Sequence, residues 1–163
     1  MNSDVTGDTV NRRIWQEIPM KWITREKVKV DRVACPWLIQ KFIDPEAEFV
    51  FLPADTNWSK VTNGIVYDVP NCELGHHGED VSFDSILKKY QLDDSALQLL
   101  AGIVRAADSH PANPHPAGEG LRWIAHGFST LGLSDHDILS REFIVYDALY
   151  AEFQRRIAPG AER

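Results

Sequence analysis

The sequence has few cysteines and no long hydrophobic run. Its two cysteines, Cys35 and Cys72, cannot build a disulfide framework, and no Cys-x-x-Cys pair starts a zinc site. The apolar runs are short and interrupted, so none is expected to cross a membrane. The first ten residues lack a basic segment followed by an apolar one, which argues against a secretory signal. We therefore expect a protein of the reducing cytoplasm.

Positive charge is also scarce. Acidic residues number 24 against 17 lysines and arginines, and the formal net charge is −7. A chain this acidic is a poor candidate for binding nucleic acid or an anionic membrane through a general basic face. The one basic island is residues 21–33, which hold five bases and two acids. We expect the ligand to be a small molecule or an oxyanion, and we expect no binding to nucleic acid or membrane. A homodimer is compatible with the sequence.

The length and composition fit one compact domain. The chain has 163 residues, of which 44% are hydrophobic and 25% charged, near the globular average. Short apolar segments bounded by turn residues predict strands at 21–25, 48–52 and 64–69. One early helix and a later run of helices complete an α+β fold, in which a small, mainly antiparallel sheet packs with four to five helices. We expect a partly disordered extension over 1–20, the domain over 21–157 and a tail over 158–163.

Capping residues predict where two of the helices begin. Pro36 is placed at the first position of the early helix, with Cys35 as its cap, because proline is disruptive in a helix interior. Asp135 is placed as the cap of the last helix, whose apolar stripe runs to Phe153.

The loop from Cys72 to Glu79 holds two adjacent histidines between glycines. Glu73 stands three residues before His76, and Glu79 stands two residues after His77. Imidazole with carboxylate suits iron, manganese or zinc, and protonated imidazoles also bind oxyanions. A polar turn without any ligand explains the same residues, because short motifs also occur by chance.

The segment from Arg25 to Trp37 combines arginines, a thiol and a helix start. With Pro36 as the first helical residue, the Cys35 sulfur would lie at the positive end of the helix dipole, which lowers a thiol pKa and attracts anions. Arg25 and Arg32 would complete an oxyanion cradle, since guanidinium groups bind oxyanions bidentately. The alternatives are a buried structural cysteine and a solvated basic face.

Two acids continue apolar helical stripes, where a charge is costly to bury. Asp108 follows Val104 by four residues, and Asp147 lies in the apolar run from Phe143 to Tyr150. A buried carboxylate needs a cation, hydrogen-bond donors or a metal. Each of these acids is therefore a candidate for the site or for a buried salt bridge.

Six motifs stand out along the chain: Asp31-Arg-Val-Ala-Cys-Pro-Trp-Leu-Ile, Phe42-Ile-Asp-Pro-Glu-Ala-Glu-Phe, Glu73-Leu-Gly-His-His-Gly-Glu, Ser82-Phe-Asp, Ile103-Val-Arg-Ala-Ala-Asp and Tyr146-Asp-Ala-Leu-Tyr. Together, and in this order, they resemble the chromate-resistance domain, the C-terminal half of the ChrB-type regulators. The resemblance covers about residues 22–153 and implies a role in chromate resistance, a stress response. In the regulators the domain follows a DNA-binding part and is implicated in sensing chromate. Only some twenty residues precede Trp22 here, so the resemblance does not imply a repressor.

Two functional hypotheses follow. In the first, the chain is a metal-dependent enzyme of unassigned reaction, which acts on a small polar or anionic substrate with iron, manganese or zinc. In the second, it is a non-catalytic module that binds or senses a chromate-like oxyanion.

The predicted metal ligands are Glu73, His76, His77 and Asp108. The residues predicted to do proton or redox chemistry are Cys35, Glu79 and Asp147. The residues predicted to hold substrate or anion are Arg25, Arg32 and Trp37. We expect one pocket to unite Arg32, Cys35, His76, His77 and Asp108.

Overall fold

The computed structural model describes residues 19–160, which form a three-stranded sheet and five α-helices. The strands are β1 (Lys21–Arg25), β2 (Glu48–Leu52) and β3 (Ile65–Val66). The helices are α1 (Asp31–Phe42), α2 (Ser82–Lys89), α3 (Ser95–Asp108), α4 (Ala117–Thr130) and α5 (Asp135–Ile157), with one 3-10 turn at Trp58–Lys60. None of these helices is long and apolar enough to cross a membrane. The predictions for residues 1–18 and 161–163 lie outside the described range.

The sheet is parallel throughout, so the prediction of a mainly antiparallel sheet is wrong. β1 lies in the middle, and its Trp22 pairs with Phe49 of β2 on one side and Ile65 of β3 on the other. Because α1 connects β1 to β2, it carries the chain back to the same end of the sheet, and the two strands run in one direction. The α+β organisation agrees with the structure. β3 is shorter than predicted, since the backbone of Asp68 turns into the left-handed region with a φ of 48°.

The first helix begins at Asp31, five residues before the predicted start, and Pro36 lies inside it. An interior proline cannot donate the helical hydrogen bond to the carbonyl four residues earlier, here that of Arg32. Every residue from 33 to 39 is nevertheless buried, and α1 packs against α5, α2 and α3. Burial of this apolar segment therefore outweighs the local cost of the proline.

The last helix is capped by Ser134 and not, as predicted, by Asp135. The Ser134 hydroxyl accepts a hydrogen bond from the Asp137 N–H at 3.1 Å. The Asp135 carboxylate instead accepts from the backbone N–H groups of Lys27 and Val28, at 3.0 and 2.9 Å. This contact ties the start of α5 to the loop that leads from β1 into α1.

The hydrophobic core lies among the helices and against the sheet. Trp37 of α1 contacts Tyr146 and Tyr150 of α5, with ring centroids 6.0 and 5.8 Å apart. α5 also packs against α3, so α1 and α3 meet on the same side of it. The start of α1 and the end of α3 thereby come together, with the Asp31 N–H 3.4 Å from Asp108 Oδ1.

The tight contact between α3 and α4 depends on Gly118. A Cβ at Gly118 would overlap the Cβ of Ala106 and lie 2.8 Å from its carbonyl carbon, whereas a Cβ at Gly127 of the same helix would meet nothing within 4 Å. We expect Gly118→Ala to lower the free energy of unfolding by about 1–3 kcal/mol. Gly127→Ala should raise it by up to about 1 kcal/mol, because alanine favours the helix. Urea unfolding of both variants measures this, and a Gly118→Ala variant as stable as the parent would contradict it.

Candidate metal centre

Four side chains converge at one end of the molecule, with His76 in the middle. Its Nε2 lies 3.3 Å from Asp31 Oδ2, 3.4 Å from Asp68 Oδ1 and 3.3 Å from Asp108 Oδ2. Asp31 and Asp68 are buried, Asp108 is one-fifth exposed, and the His76 side chain is 45% exposed. Three carboxylates therefore surround one imidazole nitrogen that still reaches solvent.

The four residues come from four separate parts of the fold. Asp31 is the first residue of α1, Asp108 is the last residue of α3, Asp68 follows β3, and His76 lies in the loop between β3 and α2. Asp68 adopts a left-handed backbone conformation, which aspartate tolerates better than most residues. Its placement is supported by tertiary contacts: the Ser82 hydroxyl donates to its Oδ1 at 2.8 Å, and Arg32 forms a salt bridge to its Oδ2 at 3.3 Å.

Asp31 is held by a full set of donors. The N–H groups of Ser82 and Phe83, at the start of α2, donate to its two oxygens at 2.7 and 3.1 Å. The Cys35 thiol donates to Oδ1 at 3.3 Å from one turn along α1. The positive end of the α2 dipole adds to this. The carboxylate is therefore fixed in place and joins α1 to α2.

The charges around His76 are strongly coupled. Hydrogen bonds to Asp108, Asp31 and Asp68 raise the pKa of His76 to about 12. Burial raises the pKa of Asp31 to about 6; repulsion from Asp68 and Asp108 adds to the rise, and the hydrogen bond from His76 opposes it. The three carboxylates act on both groups: they are the main cause of the His76 shift and add to the effect of burial on Asp31, so this point of the molecule favours a cation.

The structure brings together four of the five residues expected to share a pocket. Arg32, Cys35, His76 and Asp108 lie in or directly against the cluster. His77 does not take part: its Nε2 lies 2.8 Å from the carbonyl oxygen of Glu73. The backbone of His77 also pairs with that of Asp80 across a tight turn, at 3.0 and 3.1 Å. Because of that pairing, the imidazole of His76 lies among the carboxylates and the imidazole of His77 does not.

The predicted carboxylate ligand Glu73 and proton carrier Glu79 are both exposed. Glu73 forms a salt bridge with Lys89 at 2.7 Å, with both side chains more than half exposed. Glu79 occupies the turn after Gly78. Among the described residues, the His, Cys, Asp and Glu side chains close enough together to share a metal ion are Asp31, His76 and Asp108.

Three other predicted site residues, Cys35, Asp147 and Trp37, make contacts that support the packing of helices and lie outside the metal-ligand group. Cys35 lies inside α1 and not at its start, and burial raises the pKa of its thiol well above its usual value, with the charge of Asp31 adding to the effect. This is opposite to the predicted lowering. Asp147 lies on the α5 surface facing α1, where it accepts from Lys41 at 2.6 Å and from the Trp37 indole at 2.9 Å. Trp37 is a core residue, 2% exposed.

Sequence reasoning missed Asp31 and Asp68 as site residues. In the sequence Asp31 is one of the two acids of the basic island and opens a family motif, and Asp68 lies inside a predicted strand, but neither is predicted as a ligand. The signal that could have found them is their place in the chain order. Asp68 ends the apolar segment of β3, and Asp31 opens the helix after β1, so both lie beyond the carboxyl ends of parallel strands, where such sheets bind ligands.

A cleft of about 220 Å³ opens beside His76. Its lining residues are Arg25, Asp68, Val69, Pro70, Asn71 and His76. The Nε of Arg25 is buried and has no hydrogen-bond partner among the described residues. Arg32 pairs with Asp68 through its Nη1, whereas Arg25 forms no salt bridge to a carboxylate within residues 19–160.

Comparison with known proteins places the chain in a family. Residues 22–153 match the family described as the ChrB C-terminal domain, and the chain belongs to that family. It is 31% identical over 150 residues to Protein ChrB of Cupriavidus metallidurans, across 91% of this chain and 45% of that protein. The chain thus spans less than half the length of this relative. No solved structure matches it. The predicted membership of the chromate-resistance family is confirmed.

Proposed function

We propose that this chromate-resistance domain binds one divalent metal ion through Asp31, His76 and Asp108. The ion would serve as a Lewis acid toward a small polar or anionic substrate. The observation that carries the proposal is that three carboxylate oxygens lie within 3.4 Å of a single imidazole nitrogen. One N–H proton cannot form good hydrogen bonds to three acceptors at once, whereas a metal ion bonds several ligands together.

The spacing of the donor atoms suits a small metal ion. Ligands bonded at about 2.1 Å lie about 3.0–3.4 Å apart when the bond angles are 90–109°. The distances from His76 Nε2 to Asp31 and Asp108 are both 3.3 Å, within that range. Small side-chain movements would therefore be enough to admit the ion.

The donor set favours a particular group of metals. Carboxylate oxygens suit manganese, and imidazole suits iron and zinc, so one histidine with two carboxylates favours Mn²⁺, Fe²⁺ or Zn²⁺. Asp68 supplies a third carboxylate near His76, but its other oxygen pairs with Arg32. Among the described residues, the ligand atoms close enough together to share one ion belong to Asp31, His76 and Asp108, so Asp31 and Asp108 are the principal oxygen ligands in this proposal.

The surroundings of Asp31 resemble the outer support that metal ligands have in proteins. The N–H groups of Ser82 and Phe83 and the Cys35 thiol donate hydrogen bonds to the Asp31 carboxylate. These bonds fix its orientation next to His76. In this proposal the buried Cys35 has a positioning role and is not a nucleophile.

A metal-free oxyanion module is the weaker candidate. Asp31, Asp68 and Asp108 would repel an anion placed at His76, and Arg32 is already paired with Asp68. A metal ion reverses that balance, because it adds two positive charges at the centre of the cluster.

The test is metal titration of the full chain by calorimetry, with Mn²⁺, Fe²⁺ and Zn²⁺ after treatment with a chelator. We expect one ion per chain in the parent. His76→Ala and Asp108→Ala should each weaken binding by at least about 100-fold, since even outer-shell changes cost about 10–100-fold.

The matched control is His77→Ala, which removes the neighbouring imidazole without touching the cluster. It should bind the ion as the parent does. A parent that takes up none of the three ions, or a His77 variant as weak as the His76 variant, would overturn the proposal.

A further inference from the structure

The cleft beside His76 has features that a metal site alone does not require. Its volume of about 220 Å³ is that of about seven water molecules. Arg25 lines one part of it, and Asp68 and His76 line another. Asn71, at its rim, has a left-handed backbone with a φ of 64°. A small molecule in this cleft would touch Arg25 while lying against the proposed metal ion.

Three buried donor atoms around Asp68 have no hydrogen-bond partner among the described residues. They are Arg25 Nε, Arg32 Nε and the hydroxyl of Tyr67. Tyr67 is completely buried and immediately precedes Asp68, and the Arg32 side chain is only 14% exposed. Buried polar atoms in native proteins are almost always bonded. Arg25 is the one of the three that lines the cleft, so its unpaired Nε is the donor that a ligand bringing acceptor oxygens would satisfy there.

We propose that the cleft binds a small anion, whose oxygens reach the metal ion on one side and the Arg25 guanidinium on the other. The inference rests on the proposed metal site. The ion adds positive charge at the centre of the three carboxylates, which would otherwise repel an anion in the cleft. Anion binding and metal binding should therefore strengthen each other.

The ligand class follows from the size and the donors of the cleft. Guanidinium bonds best to paired anionic oxygens, as in a carboxylate or a tetrahedral oxyanion. A cleft of this volume matches such a group with few additional atoms. The shared chemistry is a compact anion with at least two acceptor oxygens.

The experiment measures the Mn²⁺ affinity of the full chain from the electron paramagnetic resonance signal of free Mn²⁺. The titration is run without added anion, then with saturating sulfate, then with saturating acetate. In the parent we expect one of the two anions to tighten Mn²⁺ binding by about 10- to 100-fold, the range of a charge-assisted hydrogen bond. Sulfate would identify a tetrahedral oxyanion site and acetate a carboxylate site.

Arg25→Gln should lose the tightening by the anion, while its Mn²⁺ affinity in anion-free buffer should be no weaker than that of the parent, because the change removes a positive charge near the ion. Arg25→Lys keeps the positive charge but lacks the planar guanidinium that bonds two oxygens at once, so it should recover only part of the tightening of Mn²⁺ binding by the anion. The control Arg141→Gln removes an exposed arginine from α5 and should behave as the parent. If Mn²⁺ binds but neither anion changes its affinity, or if Arg25→Gln keeps the effect, this inference is wrong and the metal site stands. If the parent takes up Fe²⁺ or Zn²⁺ but no Mn²⁺, the same comparison is made by calorimetry with that ion. If it takes up none of the three ions, the proposed function fails and this inference fails with it.

Discussion

Asp31→Ala is expected to lower the free energy of unfolding by about 2–4 kcal/mol and to abolish metal binding. The change leaves the buried N–H groups of Ser82 and Phe83 without their acceptor, at about 1–3 kcal/mol each. Relief of the repulsion from Asp68 and Asp108 offsets part of that loss. In a chain of this length the melting temperature should fall by about 5–15 °C. Urea and thermal unfolding measure both quantities.

Asp108→Ala is the matched variant for this test. Its carboxylate is more exposed than that of Asp31, and the one backbone N–H it accepts from lies at a long 3.4 Å. It should therefore lose metal binding while its free energy of unfolding stays within about 1 kcal/mol of the parent value. An Asp31→Ala variant as stable as the Asp108→Ala variant would show that Asp31 does not join α1 to α2 as the structure indicates.

Glu142→Gln is expected to stabilise the protein at pH 8 by up to about 3 kcal/mol and to have little effect at pH 4.5. Glu142 is completely buried in α5, and neither of its oxygens has a hydrogen-bond partner among the described residues. Burial raises the pKa of Glu142 from 4.5 to about 7. That difference corresponds to about 3 kcal/mol in favour of the neutral form.

The sign of this pH dependence follows from proton binding. Below pH 4.5 the carboxyl group is protonated in both the folded and the unfolded chain, so it adds no pH-dependent cost. Between pH 4.5 and about 7 the unfolded chain ionises first, and stability falls as the pH rises. Above that range the folded chain carries the whole cost of the buried charge. Glutamine removes the charge and with it this dependence.

The measurement is the difference in the free energy of unfolding between Glu142→Gln and the parent, from urea titrations at pH 4.5, 6 and 8. Taking the difference cancels the contributions of Asp31 and His76, which titrate in both proteins. Glu48→Gln, at an exposed position of β2, changes the net charge equally and should give no such trend. A difference that does not change with pH would contradict the buried, unpaired state of Glu142.

The local elements of the fold could be read from the sequence. The predicted strands at 21–25 and 48–52 have the observed bounds of β1 and β2, and the predicted later run of helices is observed as α2 to α5. Apolar runs, turn residues and helical periodicity act over a few residues, so they are visible in the chain itself. The strand direction was predicted wrongly because it depends on how α1 crosses between β1 and β2, which is a tertiary property.

The site was predictable only in part. His76 and Asp108 were chosen because imidazole between glycines and an acid on an apolar stripe are unusual residues, and the structure places them 3.3 Å apart. The choice between His76 and His77 depended on the pairing of the His77 backbone with Asp80. Asp31 and Asp68 are marked in the sequence only by their position after apolar strands, because a carboxylate becomes costly only when packing buries it.

By itself, the sequence determined the family, the α+β class, the position of most elements and the kinds of side chain available for chemistry. Those properties depend on composition and on patterns within short segments. Only the tertiary structure decided that the sheet is parallel, that the Cys35 thiol is inside a helix, and that Asp31, Asp68 and Asp108 surround His76. These are contacts between residues up to 77 positions apart, and their energies arise from burial and charge proximity that exist only in the folded chain.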